Sequence, residues 1–154
     1  MISATVRNKD KLFAKLSALA PEAAAAVYAE ALAGAQEMVS TAKGYVAVDK
    51  GDLRDSIVAT EAGQATPSYS QPGGSQVVPP GSVLVTAGNS KVRYPHLVEY
   101  GARPHINAGK FPGTQNPGTP ARPYFWPSFR LLRRKFRGRM TRALNKAIKK
   151  ASSK

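Results

Sequence analysis

Apolar positions recur at helical spacing in two long stretches of this chain, and between them lie short runs broken by glycine and proline. In the first stretch Val27, Ala31, Ala35, Met38 and Ala42 share one stripe, widened by Tyr28, Leu32 and Val39. The spacing predicts a helix from Pro21 to Lys43. Pro21 suits a first helical position, Glu22 the positive end of the helix dipole and Lys43 the negative end. The many alanines favour helix and let another backbone approach closely. In the second stretch Trp126, Phe129, Leu132, Phe136, Met140, Ala143 and Ala147 follow the same period. That pattern predicts a helix over 127–151, with Pro127 in its first turn. Ahead of both, residues 1–6 read as a strand or arm. Asn8 or Asp10 then caps a short helix ending at Leu19, with Leu12, Phe13, Leu16 and Leu19 on one side.

The middle of the chain changes character. Gly44 is expected to end the first long helix in a left-handed conformation. Asp49 and Gly51 supply turn chemistry, and one helical turn from Asp52 buries Leu53 and Ile57 together. Strands are expected over 57–61 and 83–87. Between them residues 62–82 hold four Gly, four Pro, four Ser and three Gln, with no charge. So long a connection is expected to be either an assembly arm or a mobile hairpin tip. A second loop, 101–123, holds four Gly and five Pro. Together these elements imply one α+β domain over residues 1–154. N-terminal helices and a long basic C-terminal helix would pack on a small, mainly antiparallel sheet with long loops.

Charge sharpens the picture. The net charge is +14, and up to Glu99 nine Lys/Arg balance nine Asp/Glu. From Tyr100 onward there are fourteen Lys/Arg and no acid. One third of the chain carries the whole excess, which points to a polyanionic or acidic partner. With no cysteine, disulfides and thiolate metal sites are excluded. The apolar runs are too short for a membrane span and the N-terminus lacks a signal-peptide pattern, so a soluble protein made in a cytoplasm is expected.

Catalytic constellations are thin. Asp49, Asp52 and Asp55, with Glu99, are the carboxylates that could cluster for a metal-dependent nuclease, but turn and cap roles suit the three aspartates better. His96 and His105 with Glu99 match no standard zinc spacing. No nucleophile elbow or phosphate loop is present. No enzyme, cofactor or metal is therefore expected. The basic helix is the strongest signal: eleven Lys/Arg and no acid from Arg130 to Lys154. Arg130, Arg133, Arg134, Arg137, Lys146 and Lys149 lie off its apolar stripe and are candidate contacts to DNA or to an acidic partner. An anionic membrane would suit the same charge.

Three motifs in order carry a resemblance. Val46-Ala47-Val48-Asp49-Lys50-Gly51-Asp52-Leu53-Arg54-Asp55-Ser56-Ile57 resembles the segment Pro-Val-Asp-Thr-Gly-x-Leu-Arg-x-Ser-Ile, with Ala47 in place of Pro and Lys50 in place of Thr. Tyr94-Pro95-His96-Leu97-Val98-Glu99-Tyr100-Gly101 resembles Tyr-Ala-x-x-Val-Glu-Phe-Gly-Thr, with Ala102 in place of the final Thr. Pro120-Ala121-Arg122-Pro123-Tyr124-Phe125-Trp126-Pro127-Ser128 resembles Ala-x-Pro-Phe-Leu-Arg-Pro-Ala. Together they resemble the tail-completion, or head–tail joining, neck proteins of long-tailed bacteriophages and prophages. The resemblance implies a non-enzymatic structural virion protein at the head–tail interface, made in the host cytoplasm. It would form a homo-oligomeric ring, expected as a hexamer, between head-connector proteins and the tail terminator or tail tube. Genomic double-stranded DNA would pass through without sequence-specific contact, and no membrane is involved. It also implies that Asp49, Gly51, Leu53 and Arg54 shape the helix–sheet junction and that Glu99, Tyr100 and Gly101 form a second turn near it. Pro123 and Phe125 would open the C-terminal helix. An Arg54–Glu99 ion pair is a further expectation. The alternative reading is a non-enzymatic nucleic-acid-binding protein acting through the basic helix.

Overall fold

The computed structural model describes residues 21–108 and 111–152, and residues 10, 11 and 14 besides. The strand expected over 1–6 and most of the helix expected up to Leu19 lie outside the described residues. Among the described residues eight elements follow in order. They are α1 (Pro21–Tyr45), α2 (Asp52–Asp55), β1 (Val58–Thr60), β2 (Leu84–Thr86), α3 (Pro95–Tyr100), β3 (His105–Ile106), β4 (Gln115–Asn116) and α4 (Phe125–Ser152). The α+β class holds.

Two long helices form the frame. At about 1.5 Å per residue α1 is roughly 37 Å long and α4 roughly 42 Å. They run antiparallel: Lys135 pairs with Glu37, Arg139 with Glu37 and Glu30, and Lys150 with Glu22. The Phe136 ring packs onto α1 at Gly34, where an added Cβ would lie 3.1 Å from a ring carbon. The other face of α1 covers a two-stranded antiparallel sheet in which Val58 pairs with Thr86 and Thr60 with Leu84.

The core collects apolar side chains from every part of this frame. Met38, Ala42 and Val46 come from α1 and its exit, Leu53 and Ile57 from the junction, and Ala87 and Val92 from beyond β2. Tyr124, Phe125 and Leu132 come from the start of α4. Ile57 is fully buried, and burial of such a side chain is worth about 1.5–3 kcal/mol.

Gly44 does not end α1. The helix runs on to Tyr45, because the Val46 N–H still bonds the Ala42 carbonyl at 3.0 Å and buried Val46 anchors the exit. The left-handed residue is Gly51, at φ 91°, which launches α2. A side chain there would be strained.

The 62–82 segment is ordered by its own backbone. It folds back on itself through paired backbone bonds: Gly63 N–H to Val78 O and Val78 N–H to Gln64 O, both at 2.9 Å. Gln71 and Ala87 exchange two bonds of 2.8 Å, tying the loop to the end of β2. Thr66 organises the turn, its hydroxyl donating to Gly74 O at 2.8 Å and accepting from Gln76 N–H at 3.0 Å. Thr66, Ser70 and Val78 are buried as a result. The Arg93 guanidinium sits 3.9 Å above the Tyr69 ring and fastens the outer part of the loop. The second loop contains the β3–β4 hairpin, closed at its base by the Ala102–Thr119 bridge.

Candidate functional site

The third motif opens a helix that cannot cap itself. Helix N-termini leave several amide N–H groups without partners, and Ser, Thr, Asp or Asn normally satisfies one of them. Here Pro123 and Tyr124 precede Phe125, and neither offers such an acceptor. The acceptor comes instead from the second motif. The Glu99 carboxylate, 6% exposed, takes the N–H groups of Tyr124 at 2.8 Å, Phe125 at 2.9 Å and Trp126 at 3.1 Å. Its negative charge also meets the positive end of the α4 dipole. A buried carboxylate is costly unless it is fully hydrogen-bonded, and three charge-assisted bonds answer that cost.

Neighbouring groups complete the clamp. The Arg122 N–H bonds Val98 O at 2.8 Å, and the Trp126 indole N–H donates to the Tyr100 hydroxyl. The Ser128 hydroxyl donates to Tyr124 O at 2.6 Å. Tyr124, Phe125, Trp126 and Phe129 stack edge to face in sequence, with centroids 5.6–6.4 Å apart. Burial first, then the Glu99 charge and Tyr94, push the Tyr124 phenol well above its ordinary range. Gly101 ends α3 at φ 75°, and an added Cβ would stand 2.7 Å from Thr119 O and 2.9 Å from Ala121 N. Only glycine lets the strand leading to α4 pass so near.

The structure joins the first motif to this clamp by another route than the expected one. Leu53 and Phe125 share the core, whereas Pro123 is exposed. Ser56 links the motifs, its hydroxyl donating to Leu53 O at 2.7 Å and accepting from Gly88 N–H at 3.0 Å. Pro95, the first residue of α3, lies against Gly88. The expected Arg54–Glu99 pair does not form. Arg54 is exposed on α2, while Glu99 is buried and already engaged by three amides. Asp49, Asp52 and Asp55 are all exposed and do not converge with Glu99. Among the described residues no three His, Asp or Glu are placed to hold a metal ion. His96 Nδ1 lies 3.1 Å from Gln71 Nε2, and His105 Nδ1 donates to Arg103 O at 2.9 Å.

The basic helix divides its cations. Lys135, Arg139 and Lys150 face the glutamates of α1. Arg130, Arg133, Arg134, Arg137, Lys146 and Lys149 are all exposed. The N-terminal half of α1 and the C-terminal half of α4 flank an open cleft of about 790 Å³, lined by Ala25, Ala26, Ala143 and Ala147 with Glu30, Arg139 and Arg142. No described helix is long and apolar enough to cross a membrane. Of the large apolar side chains left exposed among the described residues, Tyr94, Leu97, Tyr100, Ile106 and Phe111 fall between the start of α3 and the turn of the β3–β4 hairpin.

A search of curated proteins and of solved structures finds no match. A family model does match, over residues 7–101, and its description reads "Bacteriophage HK97-gp10, putative tail-component". The match covers about three fifths of the chain and contains the α1 helix, the Gly51 junction, the β1–β2 sheet and the Glu99 turn. It stops at Gly101, so α4 lies beyond it, although α4 is held by a carboxylate inside it. With more than half its residues accounted for in this way, the chain belongs to the HK97-gp10-like family of phage tail components.

Proposed function

We propose that this tail component acts at the neck of the virion, as a ring of identical subunits that joins the DNA-filled head to the tail. The observation that carries the reading is the pairing of a rigid frame with an exposed apolar rim. Glu99 fixes α4 to α3, and Tyr94, Leu97 and Tyr100 recur at three-residue spacing along α3, 42%, 41% and 66% exposed. Ile106 and Phe111, on the hairpin that follows, are 73% and 63% exposed. A contiguous exposed apolar patch usually marks a protein contact. A head-to-tail contact of this kind closes into a ring when its rotation closes. The partners in this reading are further copies of the chain, the head connector and the tail terminator or tail tube, with the genome passing through the ring.

Deleting the gene from its phage or prophage tests the role directly. The expected result is DNA-filled heads and complete tails that stay separate, seen by electron microscopy. Infectious, fully joined virions without the protein would overturn it. Substituting Leu97 and Ile106 by Asp should abolish ring formation, measured as particle mass by light scattering in the presence of the neck partners.

A further inference from the structure

We infer that the exposed arginine row at the start of α4 (Arg130, Arg133, Arg134 and Arg137) is a contact for the phosphate backbone of duplex DNA. The inference rests on the tail-component reading only for the source of that DNA, the packaged genome. At 100° per residue the four positions fall within about 100° of one another around the helix, over roughly 10 Å of its length. All four are exposed, and none forms an ion pair among the described residues, whereas Lys135 and Arg139 one flank away are held by Glu30 and Glu37. The row therefore offers four cations that the fold does not use.

Density selects the occupant. Duplex DNA carries about one charge per 1.7 Å of axis, so 10 Å presents roughly six phosphates to four guanidinium groups. Guanidinium is the cation best matched to phosphate, by its planar paired donors. A protein partner fits less well, because interface cores are depleted in charge and built on apolar anchors. Along this row the large exposed apolar side chain is Leu131 alone. The same row, or any part of the acid-free last third, of a second copy would repel it, since from Tyr100 onward the chain has fourteen Lys/Arg and no acid.

The test is fluorescence anisotropy of the full chain with labelled duplexes of about 20 bp and unrelated sequences, titrated from about 50 to 200 mM salt. Four phosphate contacts give a log–log slope of about −3.6, or roughly a 150-fold loss of affinity across that range. R130Q/R133Q/R134Q/R137Q should lose that slope, and the all-lysine version of the same four should keep most of it. A charge-matched control, R54Q/K91Q/R103Q/R122Q, removes four exposed cations elsewhere and should change the slope by less than about one. Equal losses in the two glutamine variants would show a diffuse charge effect and overturn the assignment. So would absence of duplex binding by the wild type, or displacement of the duplex by poly-glutamate at equal charge concentration, which would give the row to an acidic protein. Each of these results would leave head–tail joining untouched, since that is read by gene deletion.

Discussion

Replacing Glu99 by Ala removes one acceptor and strands three donors, so the size of the loss can be worked from the geometry. Each charge-assisted bond is worth about 1.5–3 kcal/mol, and an orphaned buried amide costs about 1–3 kcal/mol. Simple addition overshoots, because the wild type also bears the cost of burying the carboxylate and water can enter the space left by truncation. A net loss of about 3–4 kcal/mol is expected for Glu99→Ala. Glu99→Gln distinguishes charge from shape. The Oε2 atom receives the Tyr124 and Phe125 amides while Oε1 receives Trp126. A glutamine oxygen in the Oε2 place keeps two bonds but turns an NH₂ group toward the third donor, for a loss of about 1.5–2.5 kcal/mol. Urea unfolding measures both, and Trp126, the single tryptophan, reports from within the clamp itself. With a slope of about 2 kcal/mol/M the alanine midpoint should fall by roughly 1.5–2 M. An alanine variant within about 0.5 kcal/mol of wild type would refute the account, as would a glutamine variant less stable than the alanine one.

Four further outcomes follow from the same contacts. Arg54→Ala should change stability by less than about 0.5 kcal/mol and add independently to Glu99→Ala, since the two side chains do not meet; a measured coupling above that value would restore their pairing. A cycle of Arg139→Gln and Glu37→Gln should give a coupling of about 0.5–1 kcal/mol that shrinks in high salt, because the pair at 3.1 Å is partly exposed. Gly101→Ala should lower stability by about 2–4 kcal/mol in thermal unfolding, from a left-handed φ and backbone atoms closer than any Cβ tolerates. Tyr124 ionises at higher pH in the folded than in the unfolded chain, so its contribution is complete below about pH 10 and is lost as pH rises above that value. Wild type should therefore lose about 1.4 kcal/mol per pH unit in alkaline denaturation relative to Tyr124→Phe.

What the sequence disclosed was whatever depends on period or on local backbone chemistry. The two long helices, β1 and β2 to within a residue, the Gly51 turn and the burial of Leu53 and Ile57 all rest on spacing that can be read along the chain, whereas β3 and β4 fall in the stretch read as a loop. The exposed cations of α4 were legible for the same reason, as residues off the apolar stripe. The ordered 62–82 loop was not, because its bonds join non-periodic polar groups such as Thr66 and Gly74, or distant backbone such as Gln71 and Ala87. The true partner of Glu99 was hidden because backbone amides have no letter in a sequence. One signal did point there: a helix opening with Pro123 and Tyr124 in place of a capping side chain must borrow its acceptor. Read that way, the buried acid two residues before Gly101 was a better candidate for α4 than for Arg54.

The division of charge along α4 bears on why the helix is so basic at all. Glu22, Glu30 and Glu37 recur at intervals of about two turns and face Lys150, Arg139 and Lys135. Partly exposed pairs of this kind are worth about 0–1 kcal/mol each, so they do little to hold the helix down. The aromatic start of α4, Leu132 in the core and the Glu99 clamp do that. What the pairs supply is alignment, since a slip of α4 by one turn would set cations against the alanines of α1. Three cations suffice for that rail. The remaining exposed arginines repel one another at i, i+3 and i+4, and the fold would be no weaker with glutamine in their place. The arginine row is therefore a feature that costs the isolated fold a little and that no contact among the described residues uses, which is the ground on which the DNA contact is proposed.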